Sequence, residues 1–320
     1  MLYPILALLC GLVLLVWSAD RFVIGAAATA KNFGMSPMLI GLTIVSFGTS
    51  APEILVSIMA STSGAGELAI GNALGSNIAN IALVLGITAL IAPLPVKSGV
   101  LKKELPLLLA VTLLAGVLLF DLKLTLIDSA ILLAALVLCL YLFGRFQKSA
   151  DTSDELNPEE DEEIPELKTS IAIFWLIAGL TVLAASSRML VWGASEIAYS
   201  MGVSELVVGL TIVAIGTSLP ELAASVASAL KNHHDIAIGN VVGSNIFNLV
   251  AVMAVPGLVA PIGMDLIVLQ RDYAVMLGLT LALMAFALWQ KPPSISRLEG
   301  ALLAFAYAAY LALLYTMTVS

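Results

Sequence analysis

Long apolar runs alternate with short polar breaks along the whole chain. A helix crossing the roughly 30 Å hydrocarbon layer of a bilayer needs about 20 apolar residues. Ten runs approach that length, at roughly 3–22, 37–60, 68–92, 104–120, 124–143, 170–190, 203–229, 236–260, 273–290 and 298–317. The pattern predicts an all-α integral membrane protein with ten transmembrane helices. One hydrophilic stretch, 144–169, interrupts the runs. Its acidic, proline-containing composition predicts a solvated linker.

Composition agrees with that pattern. Of 320 residues, 60% are hydrophobic and 11% charged, and mean hydropathy is +1.06. Soluble domains are about one-quarter charged. The net charge of −8 is local, because nine of the 22 acids lie between Asp151 and Glu166. These acids lack the spacing of an EF-hand loop and predict a solubilising segment. No basic stripe is present, which argues against a nucleic-acid partner, and no obligatory protein partner is evident. Cys10 and Cys139 fall in apolar runs and are expected to be buried thiols. The first run has no basic leader and a poor cleavage site, so it is expected to be a retained span. Cytoplasmic loops carry the excess of Lys and Arg. With the N-terminus outside, eleven basic residues fall inside and three outside. Both termini are therefore expected outside and the acidic linker in the cytoplasm.

The second half repeats the first. Residues 34–93 align with 202–261 at a constant offset of 168, with 26 identities in 60 positions. The matches concentrate on Gly, Thr, Ser, Pro, Glu and Asn rather than on interchangeable aliphatics. "AIGNALGSNIAN" from Ala69 returns as "AIGNVVGSNIFN" from Ala237. The expected organisation is a five-helix repeat over 1–143, the linker over 144–169 and a second five-helix repeat over 170–320. Five spans is an odd number, so the second copy is expected to enter the membrane inverted. Inverted repeats with polar, proline-interrupted helices at matching positions mark secondary transporters, with the site between the copies.

The most costly residues sit in the matching breaks. "GTSAPE", Gly48 to Glu53, returns as "GTSLPE", Gly216 to Glu221. A carboxylate at bilayer depth costs on the order of 3 kcal/mol by insertion scales. Thr49 and Ser50 precede Glu53 by four and three residues and share a helix face with it. Pro52 has no N–H and crowds the carbonyl of Gly48, so carbonyls from Ser46 to Thr49 are expected to turn towards a ligand. The next span adds Asn72, Ser76 and Asn80 along one stripe. The second copy supplies Thr217, Ser218 and Glu221, then Asn240, Ser244 and Asn248. Asn72 and Asn240 are expected to pack rather than ligate. Every donor in this set is oxygen, which selects hard cations such as Na⁺ and Ca²⁺ over zinc or copper. Two carboxylates also match the charge of one Ca²⁺, which takes six to eight oxygens. His233 and His234 in "KNHHD" are expected to be solvated loop residues.

These motifs resemble the paired α-repeats of the cation/calcium exchanger superfamily, and the whole chain is similar to the prokaryotic sodium/calcium exchangers. The resemblance implies ten helices in two inverted-topology five-helix repeats. It implies that Glu53, Glu221, Thr49 and Thr217 form a central calcium site. Ser50, Ser76, Ser218 and Ser244 would join sodium sites, with Asn80 and Asn248 nearby. The carbonyls of Ser46 and Ala214 would contribute too. Long first and sixth helices, about 3–30 and 170–200, would slide to switch access. Potassium-dependent relatives characteristically carry Asp where Asn248 stands, so the resemblance argues against potassium co-transport. Proton-coupled relatives carry an acid in "GNxxE"; this chain reads "GNALG", with Leu74 after "GNA", and "GNVVG", with Val242 after "GNV", and has no acid there.

The expected function is antiport of Na⁺ against Ca²⁺ in the plasma (inner) membrane, with no cofactor. Calcium would leave as more than two Na⁺ enter. Protons are expected to compete with calcium at low pH. The alternative on the same fold is a proton/calcium or other divalent-cation antiporter. A channel would need a continuous pore. An enzyme would need a nucleophile and base, and no His, Cys or Asp accompanies the polar residues in the spans.

Overall fold

A computed structural model describes residues 2–150, 166–202, 208, 212 and 214–319. The described chain is helical apart from four two-residue strands. The first half holds α1 (Leu2–Phe33), α2 (Pro37–Thr49), α3 (Ala51–Thr62), α4 (Gly66–Ile91), β1 (Leu94–Pro95), α5 (100–118), β2 (Lys123–Leu124) and α6 (Leu126–Ala150). The second holds α7 (Thr169–Ser200), α8 (Ala214–Thr217), α9 (Leu219–Leu230), α10 (His234–Val259), β3 (Ile262–Gly263), α11 (Val268–Trp289), β4 (Ser294–Ile295) and α12 (Arg297–Val319).

Among the described residues, seven helices are long and apolar enough to cross a membrane, or eight if the bent pair α2–α3 is one span. Of the ten spans expected, α5 carries Lys102, Lys103 and Glu104 in its first turns. The one expected over 203–229 lies partly outside the described residues. The linker expected at 144–169 is helical at its start, because α6 continues to Ala150. Residues 151–165 of that linker lie outside the described residues.

Polarity is inverted relative to a water-soluble protein. Large apolar side chains such as Val13, Val16, Phe174, Ile177 and Phe305 are exposed, while serines, asparagines and glutamates such as Glu53 and Glu221 are buried. Lipid cannot hydrogen-bond a backbone, so helices that satisfy their own amides suit this surroundings. Cys10 is exposed on α1 and Cys139 is buried, which corrects the expectation for Cys10. A bilayer is an apolar surrounding too, so an apolar run does not by itself bury its thiol in protein.

α1 and α7 are both 32 residues long and pack along each other. Their closest approaches come in related pairs. A Cβ on Gly25 would stand 2.9 Å from the Ala172 carbonyl oxygen, and one on Gly193 would stand 2.7 Å from the Pro4 carbonyl oxygen. Gly25 and Gly193 are 168 apart, and so are Pro4 and Ala172. Small residues allow this approach of two backbones. Arg21 adds a cation–π contact, 5.2 Å from the Trp175 ring centre. Asp20 meets Lys231 at 2.6 Å, which ties α1 to the end of α9.

The strands cross-link the halves. Leu94 and Pro95 pair with Ile295 and Ser294, and Lys123 and Leu124 pair with Gly263 and Ile262. π-helical turns also recur at matching places. They begin at Asn80 and Asn248, and at Val100 and Val268. Such turns are uncommon and frequent at functional sites. The main core runs through α4, α5, α10 and α11, with Ile78, Ile81, Leu108, Val242 and Leu249 fully buried.

Candidate functional site

Both polar breaks fold in the same way. Ser50 leaves the helical region at φ −83°, ψ 3°, and Ser218 does so at φ −91°, ψ 5°. Pro52 and Pro220 then stand in the first turns of α3 and α9, where a missing N–H costs nothing. The axis bends by 42° between α2 and α3. Glu53 and Glu221 therefore occupy the first turns of α3 and α9, where the positive end of a helix dipole favours an acid.

The breaks meet inside the protein. Glu53, Glu221, Ser46, Thr49, Ser50 and Ser218 are all buried. The Glu221 carboxyl lies beside Thr49 and Ser50 of the other half and within electrostatic reach of Glu53. Thr49 Oγ1 donates to Asn240 Oδ1 at 3.1 Å and stands 3.5 Å from Ser244 Oγ. Asn72 Nδ2 donates to the Glu53 carbonyl at 3.4 Å, and Asn240 Nδ2 donates to the Glu221 carbonyl at 3.3 Å. Each amide thus anchors the turn that carries a carboxylate. Ser76 and Asn80 follow Asn72 along α4 and are buried, as are Ser244 and Asn248 along α10. Thr217 is half-buried at the end of α8, which packs against α4. Ala214 opens α8. The Ser46 carbonyl accepts from the Ser50 N–H at 2.9 Å, and Thr49 Oγ1 stands farther off at 3.4 Å. A carbonyl oxygen has a second lone pair, so this bond leaves it able to face a ligand as well.

Several buried polar atoms here have no hydrogen-bond partner, and they come in pairs. Ser50 Oγ and Ser218 Oγ are one pair, and Glu53 Oε2 and Glu221 Oε2 another. Both amide atoms of Asn80 and of Asn248 complete the set. Each pair is 168 residues apart. An unpaired buried polar group costs about 1–3 kcal/mol, and more when charged. Repetition of that cost in both halves fits groups whose partner is a ligand. Among the described residues no three His, Cys, Asp or Glu side chains gather, so hydroxyl and amide oxygens must supplement the two carboxylates. An oxygen-only donor set fits a hard cation.

Two further pairs were not singled out by the sequence reading. Ser57 and Ser225 lie one turn beyond the glutamates. Ser57 donates to the Val252 carbonyl at 2.9 Å, and Ser225 accepts from Asn240 Nδ2 at 2.9 Å. Asn77 and Asn245 are buried between α4 and α10. Both pairs are identities at the offset of 168, which was the available signal. His233 is buried rather than solvated, and its carbonyl accepts the first amides of α10.

The pattern that defines the family described as "Sodium/calcium exchanger protein" matches residues 3–145 and 171–316. The chain belongs to the sodium/calcium exchanger family. As a family member it is 42% identical over 321 residues to the inner membrane protein YrbG of Escherichia coli, covering 99% of this chain and 98% of that one. It is 31% identical to the sodium/calcium exchanger MaX1 of Methanosarcina acetivorans, covering 97% and 98%. Among solved structures it is similar to the sodium-calcium exchanger NCX_Mj soaked with zero Na⁺ and Ca²⁺. There the TM-score is 0.83 at 34% identity, covering 98% of this chain and 99% of that one. This family member is an all-α, multi-pass membrane protein of the NCX_Mj fold.

Proposed function

We propose that the chain exchanges Na⁺ for Ca²⁺ by alternating access at a single site built around Glu53 and Glu221. The observation that carries this reading is the set of unpartnered buried oxygens repeated at the 168-residue offset around two carboxylates. Thr49 and Thr217 join the glutamates on Ca²⁺. Ser50, Ser76, Ser218 and Ser244 hold Na⁺ with Asn80 and Asn248 nearby, and the carbonyls of Ser46 and Ala214 complete the shell. Ten spans form two inverted five-helix repeats, 1–143 and 170–320, joined by a cytoplasmic linker over 144–169. Both termini lie outside the inner membrane. No cofactor and no covalent chemistry are required.

Competition follows from the charge. Ca²⁺ or a full sodium set neutralises the two carboxylates, and either load lets the protein switch. The empty site keeps a buried double charge, which opposes switching and prevents a leak. Expelling Ca²⁺ against 100 mV costs about 4.6 kcal/mol, at roughly 2.3 per charge. Two entering Na⁺ return only that voltage work, so a third gives net drive.

Equivalent positions around the site are unequally exposed, which supports access from one side at a time. Gly71 is exposed and Asn72 is half-buried, whereas Gly239 and Asn240 are buried. A Cβ at Gly71 would meet nothing within 4 Å, but one at Gly239 would stand 2.8 Å from the Met38 carbonyl oxygen. With the N-terminus outside, the open end faces outwards. Binding of ⁴⁵Ca²⁺ to the purified protein, displaced by Na⁺ with a steep concentration dependence, tests the shared site. Displacement that needs only one Na⁺, or none by Na⁺ at all, would contradict it.

A further inference from the structure

Asn240 makes three hydrogen bonds that together fix the direction of a proton. The Glu221 carbonyl can only accept, so the amide nitrogen of Asn240 faces it, at 3.3 Å. The second N–H goes to Ser225 Oγ at 2.9 Å. The amide oxygen is thereby turned towards Thr49 Oγ1, 3.1 Å away. An amide oxygen only accepts, so the single Thr49 hydrogen goes to it at 3.1 Å in preference to the Ser46 carbonyl at 3.4 Å. Asn240 is fully buried, so no solvent competes for these bonds.

The consequence concerns how Thr49 meets a cation. Thr49 stands beside the Glu221 carboxyl. Left to itself, its hydroxyl would turn its hydrogen to that carboxylate. A cation between the two would then meet a hydrogen on one side and a carboxylate oxygen already engaged on the other. With the hydrogen held by Asn240, the Thr49 lone pairs are free to face the cation. We propose that Asn240 is a positioning residue that holds the Thr49 proton away from the ion and so keeps Thr49 an acceptor. Asn240 touches no ion itself. The inference rests on the proposed calcium site, and it adds a residue that the sequence reading assigned to packing.

The test is a double-mutant cycle on Ca²⁺ binding by the full-length protein in detergent. Apparent affinity is read from Ca²⁺-induced thermal stabilisation, which follows weak binding into the millimolar range. Asn240→Leu should weaken Ca²⁺ by about 10- to 100-fold, the usual effect of removing a residue that orients a metal ligand. Thr49→Val should weaken it too. In the Thr49→Val background, Asn240→Leu should cost less than in the parent, because the proton it controls is gone and only its bonds to the Glu221 carbonyl and Ser225 are lost. Asn240→Ala provides a second, smaller truncation with the same expected coupling, should the Leu variant not fold. Equal fold-losses from the Asn240 change in both backgrounds would overturn the proposal and leave Asn240 a packing residue. Failure of the parent protein to bind Ca²⁺ would instead overturn the site on which the proposal rests.

Discussion

The side chain of Asn77 donates to the backbone carbonyl of Asn245, its own counterpart 168 residues on, at 3.2 Å. The contact joins the two halves at their centre, between α4 and α10. It is one-sided, since Asn245 Nδ2 turns back to the Val241 carbonyl of its own helix at 2.8 Å. The Asn245 carbonyl also accepts the Asn248 N–H, so it keeps one partner if Asn77 is lost. Asn77→Leu should therefore lower stability by only about 1 kcal/mol. Thermal unfolding in detergent checks this. A folded variant with unchanged stability would show that the contact contributes nothing to joining the halves.

Glu53→Gln and Glu221→Gln keep shape and remove charge. Each should abolish calcium exchange while leaving a folded protein, because one remaining carboxylate cannot neutralise Ca²⁺. Vesicle exchange with protein amounts matched is the measurement. Near-normal exchange by either variant would remove that glutamate from the site.

Gly71 and Gly239 occupy equivalent positions in surroundings that differ. Gly71→Ala should be tolerated, since a Cβ there meets open space. Gly239→Ala should destabilise by about 1–3 kcal/mol through overpacking, because its Cβ would press on Met38 and Leu42 backbone atoms at 2.8 and 3.0 Å. Comparing the two unfolding midpoints tests whether the closed side is packed as described. Equal effects would argue against the asymmetry.

Asn248 has both amide atoms unpartnered. Asn248→Asp would add a third carboxylate near the site and should strengthen any effect of K⁺ on calcium exchange. Exchange rates with and without K⁺ decide this, and no change would remove Asn248 from ion selection.

Much of this site was legible because polar residues are rare in the spans. Glu53, Thr49, Ser50 and Pro52 stood out from an apolar run, and the copy at Glu221 doubled the signal. The helix break at Ser50 followed from Pro52, since a missing N–H has a local effect. Other features depend on contacts far apart in the chain. The π-helical turn at Asn80 and its copy at Asn248 have no local residue signature. The pairing of Leu94 with Ile295 joins two short segments about two hundred residues apart, too brief for any alternation to show. α1 runs on to Phe33 because its last turns are small residues packed on a neighbour, which an apolar count undervalues. Asn77 and Asn245 were visible as identities, but not as the link between halves.

The most direct test of the account is Ca²⁺ movement in proteoliposomes loaded with Na⁺ and diluted into Na⁺-free buffer. Parallel vesicles carry K⁺ in place of Na⁺, or only a pH gradient. The account predicts ⁴⁵Ca²⁺ uptake that requires the Na⁺ gradient and is accelerated by an interior-positive voltage, because more than two positive charges leave for each Ca²⁺ that enters. Uptake driven by interior-positive voltage and Na⁺ is therefore the predicted result. Uptake driven by the pH gradient alone, or none under a Na⁺ gradient, would contradict it.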